Sequence, residues 1–171
     1  AGRELPWYQA AKRQQGAQAA FLGVTCRDDG TWTAVAAGDC CLIQRRDDRL
    51  VSSFPLVRSG DFSSNPALWA THAVPAQNVA AIHQMSGGWR VGDSLYLMTD
   101  ALAQWCLRER EAKRDPWVWM DGIVSDNDFL RRITLLRENG RLRGDDTTVL
   151  HLEFGNLDEE SRGHSALADT H

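Results

Sequence analysis

Gly92-Asp93-Ser94-Leu95-Tyr96-Leu97-Met98-Thr99-Asp100-Ala101-Leu102 reads as a turn, a strand and the start of a helix in one short stretch. Gly92-Asp93 favours a turn, and Ser94 to Thr99 is apolar enough for a buried strand. The strand ends in an acid, Asp100, directly before Ala101 to Arg114. There Leu102, Trp105 and Cys106 share one side and charges occupy the rest, an amphipathic helix. Two other Gly-Asp pairs occur, Gly38-Asp39 and Gly144-Asp145. Gly144-Asp145-Asp146-Thr147-Thr148 mirrors the first stretch: here an acid opens a strand, Thr148 to Phe154, in which Leu150, Leu152 and Phe154 alternate.

Outward from these stretches the chain is β-rich first and helical later. Ala19 to Cys26, Trp32 to Ala37 and Cys40 to Arg46 read as strands. Asp47-Asp48 makes a tight turn into Arg49 to Phe54, giving a hairpin. Prolines and small polar residues break both periodicities between Pro55 and Gln77. Val79 to Met85 reads as a strand and Gly87-Gly88 as the turn after it. Ser125-Asp126-Asn127-Asp128 opens a helix carrying Phe129, Leu130, Ile133 and Leu136, which Asn139-Gly140 stops. Leu5 to Gln15 reads as the end of a helix stopped at Gly16. Strands that pair with distant neighbours, with helices gathered outside, predict an α+β sandwich.

The bulk numbers exclude several classes. A chain of 171 residues with 43% hydrophobic and 25% charged residues is sized for one soluble domain. Its net charge of −4 argues against a nucleic-acid partner. No run approaches the length of a membrane span. Cys26, Cys40, Cys41 and Cys106 lack zinc-ligand spacing, and all four read as reduced packing residues of a cytoplasmic protein. Phe54, Phe62 and Trp69 are expected to anchor the long loop. Trp117 and Trp119 are expected to pack in a short buried segment. His72, His83 and His151 have no ligand-like spacing to one another, and His83 and His151 are expected to be ordinary surface or sheet residues. The segment 156–171 reads as a polar, mobile tail.

Asp100 and Asp145 are the candidate metal ligands. Mg²⁺ and Mn²⁺ prefer carboxylate oxygen, and acids at the mouths of neighbouring strands can share an ion whose spacing a rigid sheet fixes. On the residues alone, a helix start and a turn explain the same acids, and that use is commoner.

Three stretches in order resemble the 2C-type protein serine/threonine phosphatases. Ala34 to Leu42, with Gly38-Asp39, is similar to their "GDS" strand, Gly92 to Leu102 to their "GD…TDG" motif, and Gly144 to Val149 to their closing "DN-x-T" motif. The resemblance covers about Gly16 to Phe154 and implies paired antiparallel sheets flanked by helices, with 1–155 the C-terminal part of one such domain. It further implies two Mn²⁺ or Mg²⁺ ions, with Asp100 and Asp145 as ligands and Asp39 and Asp93 as turn and strand-edge residues. Water activated by the ions would hydrolyse phosphoserine or phosphothreonine in a protein substrate, with a cognate kinase as counterpart. Ala101, Asp146 and Arg13 depart from the family pattern. Its other metal carboxylates and its phosphate-binding arginine match nothing in Ala1 to Gln15, so the expectation is a chain lacking its N-terminal part, inactive alone. The alternative is a non-catalytic phosphatase-like binding or regulatory module. An unrelated α+β protein would require all three matches to be coincidence.

Overall fold

The four-residue reach from Cys41 to Gln44 is wholly buried, on both faces of its strand, and that places the sequence Cys-Leu-Ile-Gln at the centre of the molecule. A computed structural model describes residues 18–63, 68–70 and 82–155. Its elements are β1 (Gln18–Ala19), β2 (Phe21–Cys26), β3 (Thr31–Ala37), β4 (Cys41–Arg46), β5 (Arg49–Phe54) and a 3₁₀ turn (Ser59–Asp61). Then come β6 (Trp69–Ala70), β7 (His83–Gly88), β8 (Ser94–Met98), α1 (Asp100–Glu111), α2 (Trp117–Asp121), α3 (Asp126–Glu138) and β9 (Val149–Glu153).

Every described strand pairing is antiparallel. One sheet has the order β2-β3-β7, a second β5-β4-β8-β9, and β1 pairs separately with β6. Alternation along the strands gives the second sheet two apolar faces. Leu42, Phe54 and Leu95 face Trp32, Ala34 and Ala36 of the first sheet in one core cluster. Cys41, Ile43, Tyr96 and Met98 face the helices in a second cluster with Leu102, Trp105, Cys106 and Ile133. The layering is therefore sheet, sheet, helices, as the α+β sandwich predicts. At roughly 1.5–3 kcal/mol per buried large side chain, these two faces carry most of the fold's stabilisation.

Local chemistry sets the element ends. Asp47 and Asp48 take φ of 47° and 60°, the left-handed pair that a two-residue hairpin turn requires between β4 and β5. Ser125 caps α3, its Oγ accepting from the Asp128 amide at 3.2 Å. Gly140, at φ 64°, ends the same helix by a turn that an L side chain resists.

Several expectations are corrected. Gly87-Gly88 is not a turn but the end of β7, paired with Trp32 and Thr31. The reason is Trp32, whose indole lies across Gly87 so closely that a Cβ there would sit 2.5 Å from its ring. The chain turns at Val91-Gly92 instead. Trp117 and Trp119 lie on the short helix α2, Trp117 buried and Trp119 packed 5.0 Å from Trp105. Trp69 is 53% exposed and outside both core clusters of the described residues, while Phe54 and Phe62 pack into the cores. Cys26 is exposed rather than packed, although all four cysteines are free. Burial pushes the thiols of Cys41 and Cys106 up to about 12. The segments 1–17 and 156–171, including the expected helix end at Leu5 to Gln15 and the expected tail, lie outside the described residues, as do Arg13 and His72.

Asp93 is wholly buried rather than a simple strand-edge residue. Its carboxylate receives Arg46 through two bonds of 2.7 and 2.6 Å, Gln44 Nε2 at 3.0 Å and the Arg90 amide at 3.1 Å. Burial pushes its pKa up, but Arg46 and these other donors outweigh it and hold it below the ordinary carboxylate value.

Gly87→Ala is expected to destabilise the chain by about 1–3 kcal/mol, since the indole of Trp32 must leave its rotamer. Gly88→Ala, where a Cβ meets nothing nearer than 3.6 Å, is the control. Urea midpoints should fall for the first and stay near wild type for the second. Asp93→Ala should cost about 3 kcal/mol at neutral pH, from a charge pair and hydrogen bonds lost together. The folded pKa of Asp93 is depressed, so its contribution is complete above the unfolded value of about 4 and is lost as pH falls through the folded one. The gap between wild type and variant should therefore narrow in strong acid; a gap independent of pH refutes the charge account.

Candidate metal centre

An acid at the end of one strand and acids before its two neighbours meet if the strands are antiparallel and in register. β8 satisfies this. Its last residue, Met98, pairs with Cys41, the first residue of β4, and with Val149, the first residue of β9. The end of β8 and the beginnings of β4 and β9 thus lie on one rim of the sheet. Asp100 follows β8, Asp39 precedes β4 and Asp145 precedes β9. Asp93, at the far end of β8, is excluded by the same register.

The rim is held by backbone bonds. The Thr99 amide donates to the Thr148 carbonyl at 3.1 Å, and the Thr148 amide donates to Thr99 Oγ1 at 3.0 Å. Thr99 stands at the N-cap of α1 without capping it, because its hydroxyl is engaged across the rim. Asp100 is the first residue of α1, where the positive end of the helix dipole favours a carboxylate. The segment from α3 to β9 is tied from both sides. Leu142 is buried, Arg141 reaches Glu109 of α1 at 2.5 Å, and Arg137 of α3 donates to Thr147 Oγ1 at 2.8 Å and to the Asp145 carbonyl. Asp145 Oδ1 accepts the amide of Asp146 at 2.9 Å, and Asp146 itself is exposed.

The structure brings Asp100 and Asp145 to a single cation, the guanidinium of Arg143. Arg143 Nη2 is ion-paired with Asp100 Oδ2 and lies 3.7 Å from Asp145 Oδ2. Asp39 is 7% exposed and joins them electrostatically. Burial pushes its carboxyl up first, the charge of Asp100 pushes it further, Arg143 draws it down, and Asp145 adds a smaller upward push. Asp39 is the residue that sequence reasoning passed over as a turn. The signal was present, since Gly38-Asp39 is the third Gly-Asp pair and precedes the strand beside β8. Arg143 carried no signal beyond its two-residue distance from Asp145.

Carboxylate oxygens are the right donors for a hard divalent cation, and these converge on a positive charge. In that respect the residues fit the metal. They do not complete its shell: among the described residues, no group of three or more His, Cys, Asp or Glu side chains is arranged to hold an ion. The described histidines are His83 and His151. His83 is exposed, and His151 stacks on Tyr96 with ring centroids 4.3 Å apart. His151 is a part-exposed residue of β9, and partial burial lowers its pKa. A cavity of about 480 Å³ lined by Arg45, Asp48, Asp121, His151 and Glu153 lies toward the opposite end of the sheet.

No family model matches the sequence, and no curated protein matches it. Among solved structures, the chain is similar to the Mycobacterium tuberculosis serine/threonine phosphatase PstP/Ppp, with 17% identity and a TM-score of 0.54 over 87% of this chain and 66% of that one. It also matches the phosphatase domain of the cell fate determinant SpoIIE from Bacillus subtilis, at 14% identity and TM-score 0.47, over 81% of this chain and 59% of that one. For the photosystem II phosphatase PBCP the values are 13% and 0.49, over 72% of this chain and 46% of that one. The chain thus spans between 46% and 66% of the length of these structures. The likeness to PstP/Ppp, with the sheet order and helical layer already described, shows that the chain has the fold of the 2C-type phosphatases.

Proposed function

We propose that this chain supplies part of the metal centre of a protein phosphatase that hydrolyses phosphoserine or phosphothreonine. The observation that carries this reading is the shared rim, where strand register sets Asp39, Asp100 and Asp145 about one positive charge. Asp100 and Asp145 would hold Mn²⁺ or Mg²⁺, with two ions in the complete domain and the remaining ligands outside the described residues. The bound ions supply Lewis acidity for attack of water on a phosphate monoester, and no enzyme nucleophile is required. The chain's own share is to fix two carboxylates on rigid elements, Asp100 by the first turn of α1 and Asp145 by the ties from Arg137 and Thr148. Asp39, more deeply buried, adds negative potential behind them. Phosphorylated proteins would be the substrates, with a kinase as counterpart and the cytoplasm as compartment. No helix among the described residues is long and apolar enough to cross a membrane.

A second reading has one observation in its favour. Arg143 already offsets part of the pair's charge, as it would in a binding or regulatory module that had lost its metals.

In the complete protein, Asp100→Asn and Asp145→Asn should each lower Mn²⁺-dependent phosphopeptide hydrolysis by at least about a hundredfold, since even residues behind metal ligands cost 10–100-fold. Circular dichroism and urea midpoints should stay close to wild type. Chelation should abolish activity and added Mn²⁺ restore it. Near wild-type turnover in both variants removes these residues from the metal centre, and chelator-resistant turnover removes the metal.

A further inference from the structure

Arg143 is the feature of the rim that neither the fold nor the proposed chemistry calls for. It extends from the segment between α3 and β9 and places one guanidinium against both candidate ligands. The other arginines of that segment are engaged elsewhere: Arg137 on Thr147 and the Asp145 carbonyl, Arg141 on Glu109. The side chains of Arg143, Asp100 and Asp145 are 36%, 20% and 54% exposed, so water reaches the cluster and the contact can exchange.

We infer that Arg143 is the built-in counter-cation of the centre: its guanidinium holds Asp100 and Asp145 in the metal-free chain, and a divalent ion enters by displacing it. This rests on the metal reading proposed above. The physical reason is competition. A guanidinium and a divalent cation cannot share the same two carboxylates at contact distance without strong like-charge repulsion. The metal-competent state is then the one with Arg143 turned away, and the apparent affinity is the intrinsic affinity multiplied by the fraction of chains in that state. The segment does not need Arg143 to stay in place. Leu142 is buried, its amide donates to the Leu136 carbonyl at 3.1 Å, and the Thr99–Thr148 bonds close the rim. Loss of the Arg143 side chain therefore frees the carboxylates without releasing the loop.

The test is Mn²⁺ titration of the complete protein by calorimetry, for wild type, Arg143→Gln, Arg143→Lys and Asp100→Asn. Arg143→Gln should bind Mn²⁺ about tenfold more tightly, the order expected when a partly exposed ion pair and its repulsion of the ion are both removed. Arg143→Lys keeps the charge and should stay nearer to wild type. Thermal melts add a readout independent of turnover. In chelator Arg143→Gln should melt below wild type, and saturating Mn²⁺ should raise its midpoint more than it raises that of wild type. Equal or weaker Mn²⁺ affinity in Arg143→Gln, with binding lost in Asp100→Asn, overturns the inference and leaves the metal reading intact. Absence of Mn²⁺ binding in both wild type and Arg143→Gln overturns both.

Discussion

Repulsion among carboxylates on one rim is the constraint around which the site is organised. Three strand-end acids are placed together by antiparallel register; burial first, and then the charges of Asp100 and Asp145, raise the pKa of Asp39. A sheet rim could relieve that strain by moving its loops apart. Here the loops are tied: Thr99 to Thr148, Arg137 to the Asp145 carbonyl, and Arg141 to Glu109. A cation relieves it instead. Arg143 provides one within the chain, and a divalent ion is the stronger alternative where the remaining ligands are supplied.

The two ends of β8 divide the work of the sheet. At one end Asp93 is buried and fully paired with Arg46, Gln44 and the Arg90 amide, an arrangement that fixes structure and leaves no oxygen for a ligand. At the other end Asp100 is part exposed and paired with Arg143. The same residue type thus serves stability at one rim and, in the metal reading proposed above, ligand capture at the other. Solvent access and the number of fixed donors separate the roles. Gln44 shows how closely the layers are joined: its amide bridges Asp93 and the Gly88 carbonyl of the opposite sheet at 2.8 Å.

Glu109 makes a comparable link on the helical side. It is almost wholly buried and accepts Arg114 at 2.7 Å and Arg141 at 2.5 Å. Arg114 is the first cause of its depressed pKa, burial opposes it, and Arg141 adds to the depression. The charged side of α1 therefore contains Glu109, whose pair with Arg141 secures the segment that carries Asp145.

Local pattern by itself determined the strands from Phe21 to Phe54, the strand from Ser94, both long helices and the stop of the second, because alternation, helical periodicity, Ser125 and Asn139-Gly140 act over a few residues. It also marked Asp100 and Asp145, as acids at a strand end and a strand start. Tertiary structure alone decided the rest. Gly87-Gly88 reads locally as a turn and becomes strand because Trp32 needs the space above it. Asp93 and Asp39 look alike beside their glycines. One is buried in an ion pair and the other joins the acidic rim, since register across β4, β8 and β9 sets which strand ends are neighbours. Arg143 is the sharpest case. Nothing in its sequence neighbourhood distinguishes it from Arg141 or Arg137, and only the fold, by carrying α1 and β9 to the same rim, places its charge between two carboxylates from distant parts of the chain.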